Sequence, residues 1–264
     1  MIIYGRIYFI MEFFDNLNNS INFFLRNHIT LSRKNYNETS IDISKYKFSS
    51  QQIELYNNLK DKYDLYLILN SSEKIFNLNL YLLDIFDKFI TKKSNKNITV
   101  LDIGSKNWDY VKSEYTFFNS FSENILLNGI ELDAYRMNTH FYNRYEIAKF
   151  YTKDLAKTNY ITDDFLTHKQ KYDYIVWILP FILKYPLLKW GLPLKYFKPE
   201  KMLIHALELL KPEGELFIIN QGEEEYKVQQ ELYKNLNISY ELFGEIEDKI
   251  GIFKNQRFCS IVKK

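Results

Sequence analysis

The chain has 264 residues, 46% hydrophobic and 26% charged, with a formal net charge of +2. Such a length fits one large domain or a domain with an appendage, and the composition is that of an ordinary globular protein with no sign of nucleic-acid binding. A single cysteine, Cys259, excludes an internal disulfide, and four scattered histidines (His28, His140, His168, His205) lack metal-ligand spacing. No metal is expected, and a reducing, cytoplasmic setting follows.

In chain order, Met1 to Met11 is apolar but carries Arg6 and is followed by Glu12 and Asp15. It is too short to span a bilayer and lacks a basic leader, so no membrane partner is expected. It reads as an N-terminal strand, or as an extension upstream of a start at Met11. Phe13, Phe14, Leu17, Ile21, Phe24 and Leu25 then recur at helical spacing. Residues 30–50 read as a loop with room for a short strand. Ser49-Ser50 is a candidate N-cap for a helix carrying Ile53, Tyr56, Leu59 and Tyr63. Leu78, Leu82, Ile85, Phe86 and Phe89 form another amphipathic stripe, which Lys92 to Asn97 interrupts. Residues 1–95 are therefore expected to form a mostly helical extension, either a lid over a site or a packing appendage, ahead of an α/β domain over 96–264.

That domain opens on Ile98 to Trp108, an aliphatic run ending in Asp102, then Gly104 and a turn. A strand, a tight turn and a helix make the ligand site of an open α/β sheet, beyond the carboxyl end of the strand. Gly104 lets backbone approach a ligand that a Cβ would block. Asn107 to Ser122 predicts a helix, and Ile125 to Leu132 a second strand with Glu131 at its end and Asp133 just beyond. A carboxylate there can accept from both vicinal hydroxyls of a ribose. Tyr135 to Lys157 predicts one helix or two joined by a bend. Tyr160 to Leu166 predicts a short strand ending in Asp163-Asp164. Tyr172 to Phe181 predicts a fourth strand, followed by a proline-rich loop over 181–199 where substrate specificity could reside. Pro199-Glu200 opens a helix, Leu216 to Asn220 is a fifth strand, and Gln221 onward starts another helix. Ile238 to Ile246 and Arg257 to Val262 predict two last, antiparallel strands.

The order of these motifs resembles the class I S-adenosylmethionine-dependent methyltransferases, from about Ile98 to Lys264. Val100-Leu101-Asp102-Ile103-Gly104 is similar to the family's first motif, Gly129 to Asp133 to its second-strand acid, and Asp164-Phe165-Leu166 to its adenine-contacting acid. Tyr172 to Val176 is similar to its fourth strand, and Leu209 to Leu216 to the segment before its fifth. The resemblance implies a Rossmann-like, mostly parallel seven-stranded sheet with the last strand antiparallel. It implies S-adenosylmethionine as cofactor, with Asp102 near the methionine ammonium, Gly104 beneath the cofactor, Glu131 on the ribose and Asp164 on the adenine amine. Ser105, Asn107 and Trp108 of the first turn, Leu132 and Phe165 beside the later acids, and Trp177 and Leu179 near the transferable methyl complete the implied set. The first motif has one glycine where the family usually has two or three. The fourth strand ends Trp-Ile-Leu-Pro-Phe, without the Asn/Asp-Pro-Pro-aromatic signature of many amino-group methyltransferases.

The function expected is methyl transfer to a small-molecule acceptor, with no nucleic acid indicated and the oligomeric state open. The alternative is a non-catalytic binding module that keeps the fold. A nicotinamide oxidoreductase is disfavoured, because a pyrophosphate needs glycines the first turn lacks. Candidate catalytic groups are Asn220, Glu223 and Tyr135, with Tyr110, Arg136, His140 and Trp190 as further substrate-side candidates.

Overall fold

A computed structural model describes residues 2–29, 31–38, 47–69, 71–93 and 95–264. Four helices come first: α1 (Ile2–His28), α2 (Ser50–Lys60), α3 (Tyr66–Leu69) and α4 (Glu73–Phe89). There follow β1 (Asn95–Ile103), α5 (Val111–Asn119), β2 (Ser122–Ile130), α6 (Arg144–Thr152), β3 (Thr158–Ile161) and β4 (Tyr172–Ile178). The chain finishes with α7 (Lys184–Lys189), α8 (Pro199–Leu209), β5 (Leu210–Gln221), α9 (Gly222–Asn235), β6 (Glu241–Ile246) and β7 (Arg257–Lys263).

The seven strands form one sheet in the order β3-β2-β1-β4-β5-β7-β6. β1 pairs in parallel with β2 and β4, whereas β7 runs antiparallel to both β5 and β6. Order reverses between β1 and β4, so a crevice opens beyond their carboxyl ends, where open α/β sheets bind ligands. Alternation sends Val100, Tyr174, Val176, Phe217 and Ile219 to one face, under Phe86 of α4 and Phe117 of α5. Leu101, Ile103, Ile175, Leu216 and Ile218 go to the other, against Leu203 and Ala206 of α8 and Tyr233 of α9.

The predicted cap of α2 forms in full: Ser49 Oγ accepts from the Gln52 amide while Gln52 Oε1 accepts from the Ser49 amide. Three expectations are corrected. Residues 2–11 belong to α1 rather than to a strand, since an apolar run that short does not declare its period. Residues 135–143 are an irregular turn closed by a Met137–Asn143 bridge, and only 144–152 are helical. The expected short strand within 30–50 is absent from 31–38 and 47–49, and the intervening part lies outside the described residues.

The docking of α1 inverts its pattern. All six apolar residues that define its stripe, from Phe13 to Leu25, are exposed. The helix is held instead by its other side. Asn19 Nδ2 donates to the carbonyls of Leu188 and Leu192, Asn16 Oδ1 accepts from the Leu194 amide, and Phe23 packs on Tyr196. Arg26 forks onto Asp133, with Nε 2.5 Å from Oδ1 and Nη2 2.9 Å from Oδ2, and also reaches the Gly191 carbonyl. These bonds tie α1 to Asp133 and to the 184–196 segment, part of the 181–199 stretch expected from the sequence to be a loop; 184–189 are instead helical, as α7.

Candidate functional site

β1 delivers Asp102 to the carboxyl edge of the sheet, and the chain turns sharply behind it. Gly104, Lys106 and Trp108 all have left-handed backbone, with φ of 73°, 55° and 48°. Only the first is free of strain there. The turn is pinned from several sides. The Lys106 amide donates to Glu131 Oε2, and the Tyr160 hydroxyl donates to the Lys106 carbonyl. Trp108 is wholly buried, its indole N–H donating to Glu114 and its ring lying against Gly129. Trp108 is thus a wedge in the core and lines no cavity; the bulk occupies space beneath β2 rather than the ligand side.

Asp102 is fully buried. Its Oδ2 accepts from the Tyr110 hydroxyl at 2.8 Å, and its Oδ1 has no partner among the described residues. Burial pushes its pKa up to about 7, against the Tyr110 hydrogen bond and the Lys106 charge, which pull it down. Glu114, also fully buried, is pushed up by burial and by Asp102. Ser105 is buried too, its hydroxyl donating to the Asp102 carbonyl.

Two adjoining cavities open beyond these strand ends. The first is lined by Gly104, Glu131, Leu132, Asp164, Phe165, Trp177 and Leu179, among others. Asp102, Ser105, Asn107 and Trp108, expected in the same set, are not on its wall; Asn107 lines the second cavity instead. Glu131 Oε1 accepts from the Asp133 amide and from Arg144, while Oε2 accepts from Lys106 alone and keeps room for one more donor. Asp164 Oδ1 caps the 3-10 turn over Phe165–Thr167 by accepting from the Leu166 amide.

The second cavity is a cleft between the sheet edge and α4, with an apolar floor that includes Leu78, Ile219 and Phe253. Lys106, Ile178, Leu179 and Trp190 line both cavities, so these four residues form the passage between them. Three cations surround the Trp190 ring: Lys106, Arg144 and Arg136 lie 4.8, 5.1 and 5.7 Å from its centroid. Burial and the neighbouring Arg144 push the Lys106 ammonium down from its ordinary pKa. Of the substrate-side candidates, Tyr110, Arg136 and Trp190 line the cleft. Tyr135 lines a groove against α1, and His140 is exposed. Asn220 is buried and lines neither cavity, and Glu223 is exposed and paired with Lys227. Sequence reasoning missed Lys106, Arg144 and Arg257 as site residues. The signal for Lys106 was present, because it sits in the turn after the first strand.

Among the described residues there is no cluster of His, Cys, Asp and Glu suited to a metal, and no helix long and apolar enough to cross a membrane. No protein-family model matches the chain, and no curated protein matches it. Solved structures do. TrmN from Thermus thermophilus is 17% identical over 70% of this chain, with a TM-score of 0.45; this chain spans 49% of that protein's length. A SAM-dependent methyltransferase from Aquifex aeolicus is 15% identical, covering 82% of this chain and 98% of that one, with a TM-score of 0.46. A Listeria monocytogenes protein, described by class as a class I S-adenosylmethionine-dependent methyltransferase, is 14% identical. It covers 85% of this chain and 71% of its own, with a TM-score of 0.50. The strand order, the antiparallel last strand and the likeness to the Listeria monocytogenes structure fix the architecture: the chain has the fold of the class I S-adenosylmethionine-dependent methyltransferases.

Proposed function

We propose that the chain is an S-adenosylmethionine-dependent methyltransferase whose cofactor lies in the first cavity and whose acceptor, a small molecule, enters through the cleft. The observation that carries this reading is convergence. Gly104, Glu131, Leu132, Asp164, Phe165, Trp177 and Leu179 come from four separate stretches of sequence, and they line one cavity at the switch point of the sheet. The residues fit the group. A Cβ built on Gly104 would meet nothing within 4 Å, so the turn leaves a cradle there. Glu131 retains one acceptor position for a ribose hydroxyl, and Asp164 presents a carboxylate beside the apolar Phe165. Asp102, fully buried and off the wall of both cavities, stands outside that lining, and its Oδ1 is left without a partner among the described residues.

The cofactor, when bound, supplies an electrophilic methyl group on a sulfonium. The chain's own residues orient the acceptor against it and keep water out. Ile178 and Leu179 form an apolar partition where the two cavities meet, and Trp190 closes it from the loop side. Lys106 stands at the same passage. Burial and the neighbouring Arg144 lower its pKa, and its ammonium faces the Trp190 ring there. Loop 184–196 shapes the acceptor's entry, and α1, docked on that loop, belongs to a helical extension over 1–95 that steadies it rather than to the catalytic domain over 96–264. A cytoplasmic setting accords with the lone, buried Cys259.

The alternative, a binding module without catalysis, draws on one observation: Glu131 already accepts from Arg144, Lys106 and Asp133. Calorimetric titration with S-adenosylmethionine and S-adenosylhomocysteine separates the two. Micromolar binding of both supports the methyltransferase. Binding of neither, by a folded sample, leaves the module.

A further inference from the structure

The cleft carries more positive charge than its own carboxylates can use. Lys106, Arg136, Arg144 and Arg257 line it, and the one carboxylate among its lining residues is Asp109, which burial pushes towards the neutral form. Arg144 is satisfied by Glu131 and Asp133. The other three are not. Arg257 is 7% exposed, yet its guanidinium donates only to the carbonyls of Asn255 and Gln256, at 3.3 Å, and lies over the Phe253 ring at 4.5 Å, with no carboxylate within ion-pair distance among the described residues. Arg136 lies 3.7 Å from Asp133, which Arg26 already occupies, and its buried Nη1 makes no hydrogen bond. The Lys106 ammonium has only the Trp190 face. The Tyr81 hydroxyl on the same wall is buried without a partner.

Unpaired buried cations are costly in a finished structure, and a guanidinium left with one donor unmatched loses the full worth of that hydrogen bond. Four donors short of acceptors, converging from α4, the β1 turn, the 135–143 turn and β7, describe a site completed by an anion. The floor beneath them is apolar, so the anion needs a hydrophobic body as well. We infer that the cleft binds an organic oxyanion, a carboxylate or phosphate carried on an apolar group, and that this anion is the methyl acceptor. The second clause rests on the methyltransferase reading; the first does not.

The test is calorimetry on the full chain, with and without saturating S-adenosylhomocysteine, using benzoate and phenyl phosphate as probes and benzamide as the neutral isostere. With S-adenosylhomocysteine bound, the amino-acid carboxylate of the cofactor is already accounted for. The expected result is that both anions bind the loaded protein and that benzamide binds at least tenfold more weakly. Arg257→Gln and Arg136→Gln should each weaken the anions about tenfold, with S-adenosylhomocysteine affinity unchanged and Arg257→Lys recovering part of the loss. Equal binding of benzamide and benzoate overturns the inference. So does wild-type anion affinity in both variants. If S-adenosylhomocysteine displaces the anions, the cations serve the cofactor's own carboxylate and the acceptor assignment falls. Anion binding by a protein that ignores S-adenosylhomocysteine would overturn the methyltransferase reading and leave the oxyanion site standing. Should Arg257→Gln fail to fold, the half-buried Arg136 variant and the benzoate–benzamide comparison still decide.

Discussion

Replacing Asp102 by asparagine is expected to make the protein more stable above neutral pH and to change little in acid. In the folded chain, burial raises this carboxyl from its usual 3.8 to about 7. Between those two values the folded state holds a proton that the unfolded state has released. Folding therefore takes up a proton, and stability falls as pH rises through that window, with the full cost present above about pH 7. The interval from 3.8 to about 7 is about 3.2 pH units, which at ~1.36 kcal/mol each amounts to about 4 kcal/mol. Glu114, buried beside it, is raised in the same direction by burial and by Asp102, so the two carboxyls titrate as a pair. Asp102→Asn keeps an acceptor for the Tyr110 hydroxyl and removes the charge. Urea unfolding should therefore show a gain of about 2–4 kcal/mol at pH 8 and little change near pH 4. A variant less stable than the parent at pH 8, or one whose gain is the same at both pH values, would refute the reasoning that burial holds this carboxyl away from its ordinary behaviour.

Other perturbations test the frame around the site. Gly129→Ala places a methyl 2.5 Å from Ser105 Oγ and 2.9 Å from the Trp108 ring. It should cost about 1–3 kcal/mol in chemical unfolding, and a neutral result would show that the turn yields easily. Gly104→Ala meets no atom but forces a side chain into φ of 73°. A loss of about 1–2 kcal/mol and a marked fall in S-adenosylhomocysteine affinity are expected, and unchanged affinity would remove Gly104 from the site. Arg26→Leu strips the fully buried Asp133 of its bidentate partner and should cost about 3 kcal/mol while exposing α1 to trypsin. A loss below about 1 kcal/mol would mean that α1 is held mainly by its asparagines.

Much of the architecture was legible because it is local. The alternation of Val100, Leu101 and Ile103, the acids at strand ends and the cap at Ser49 are all set within a few residues, and each element formed close to where its pattern lay. What escaped was set at a distance. The stripe of α1 is a clear helical pattern, yet nothing in its spacing shows that Asn16, Asn19 and Arg26 on the other side would do the docking, through partners more than 100 positions away. The cationic ring of the cleft joins Lys106, Arg136 and Arg257, which share no period and acquire a common meaning only when the sheet brings their turns together. Trp108 was misread for a related reason. Its position in the first turn was right, but a residue with φ of 48° sends its side chain down into the core.

The attachment of α1 also has a temporal consequence. The helix is synthesised before all of these partners: Asp133 lies 107 positions beyond Arg26, and Leu194 lies 178 positions beyond Asn16. At roughly 5–20 residues per second, about 10–35 s pass between emergence of Asn16 and emergence of its anchor. Throughout that interval the helix has neither its polar partners nor cover for Phe13, Phe14, Ile21 and Phe24, which stay exposed even in the finished fold. The nascent chain thus presents a sticky amphipathic segment long before the sheet exists, the situation in which a chaperone acting on emerging chains has most to bind. Docking of α1 is then a closing step of folding rather than an opening one, and the completed 184–196 loop is its template.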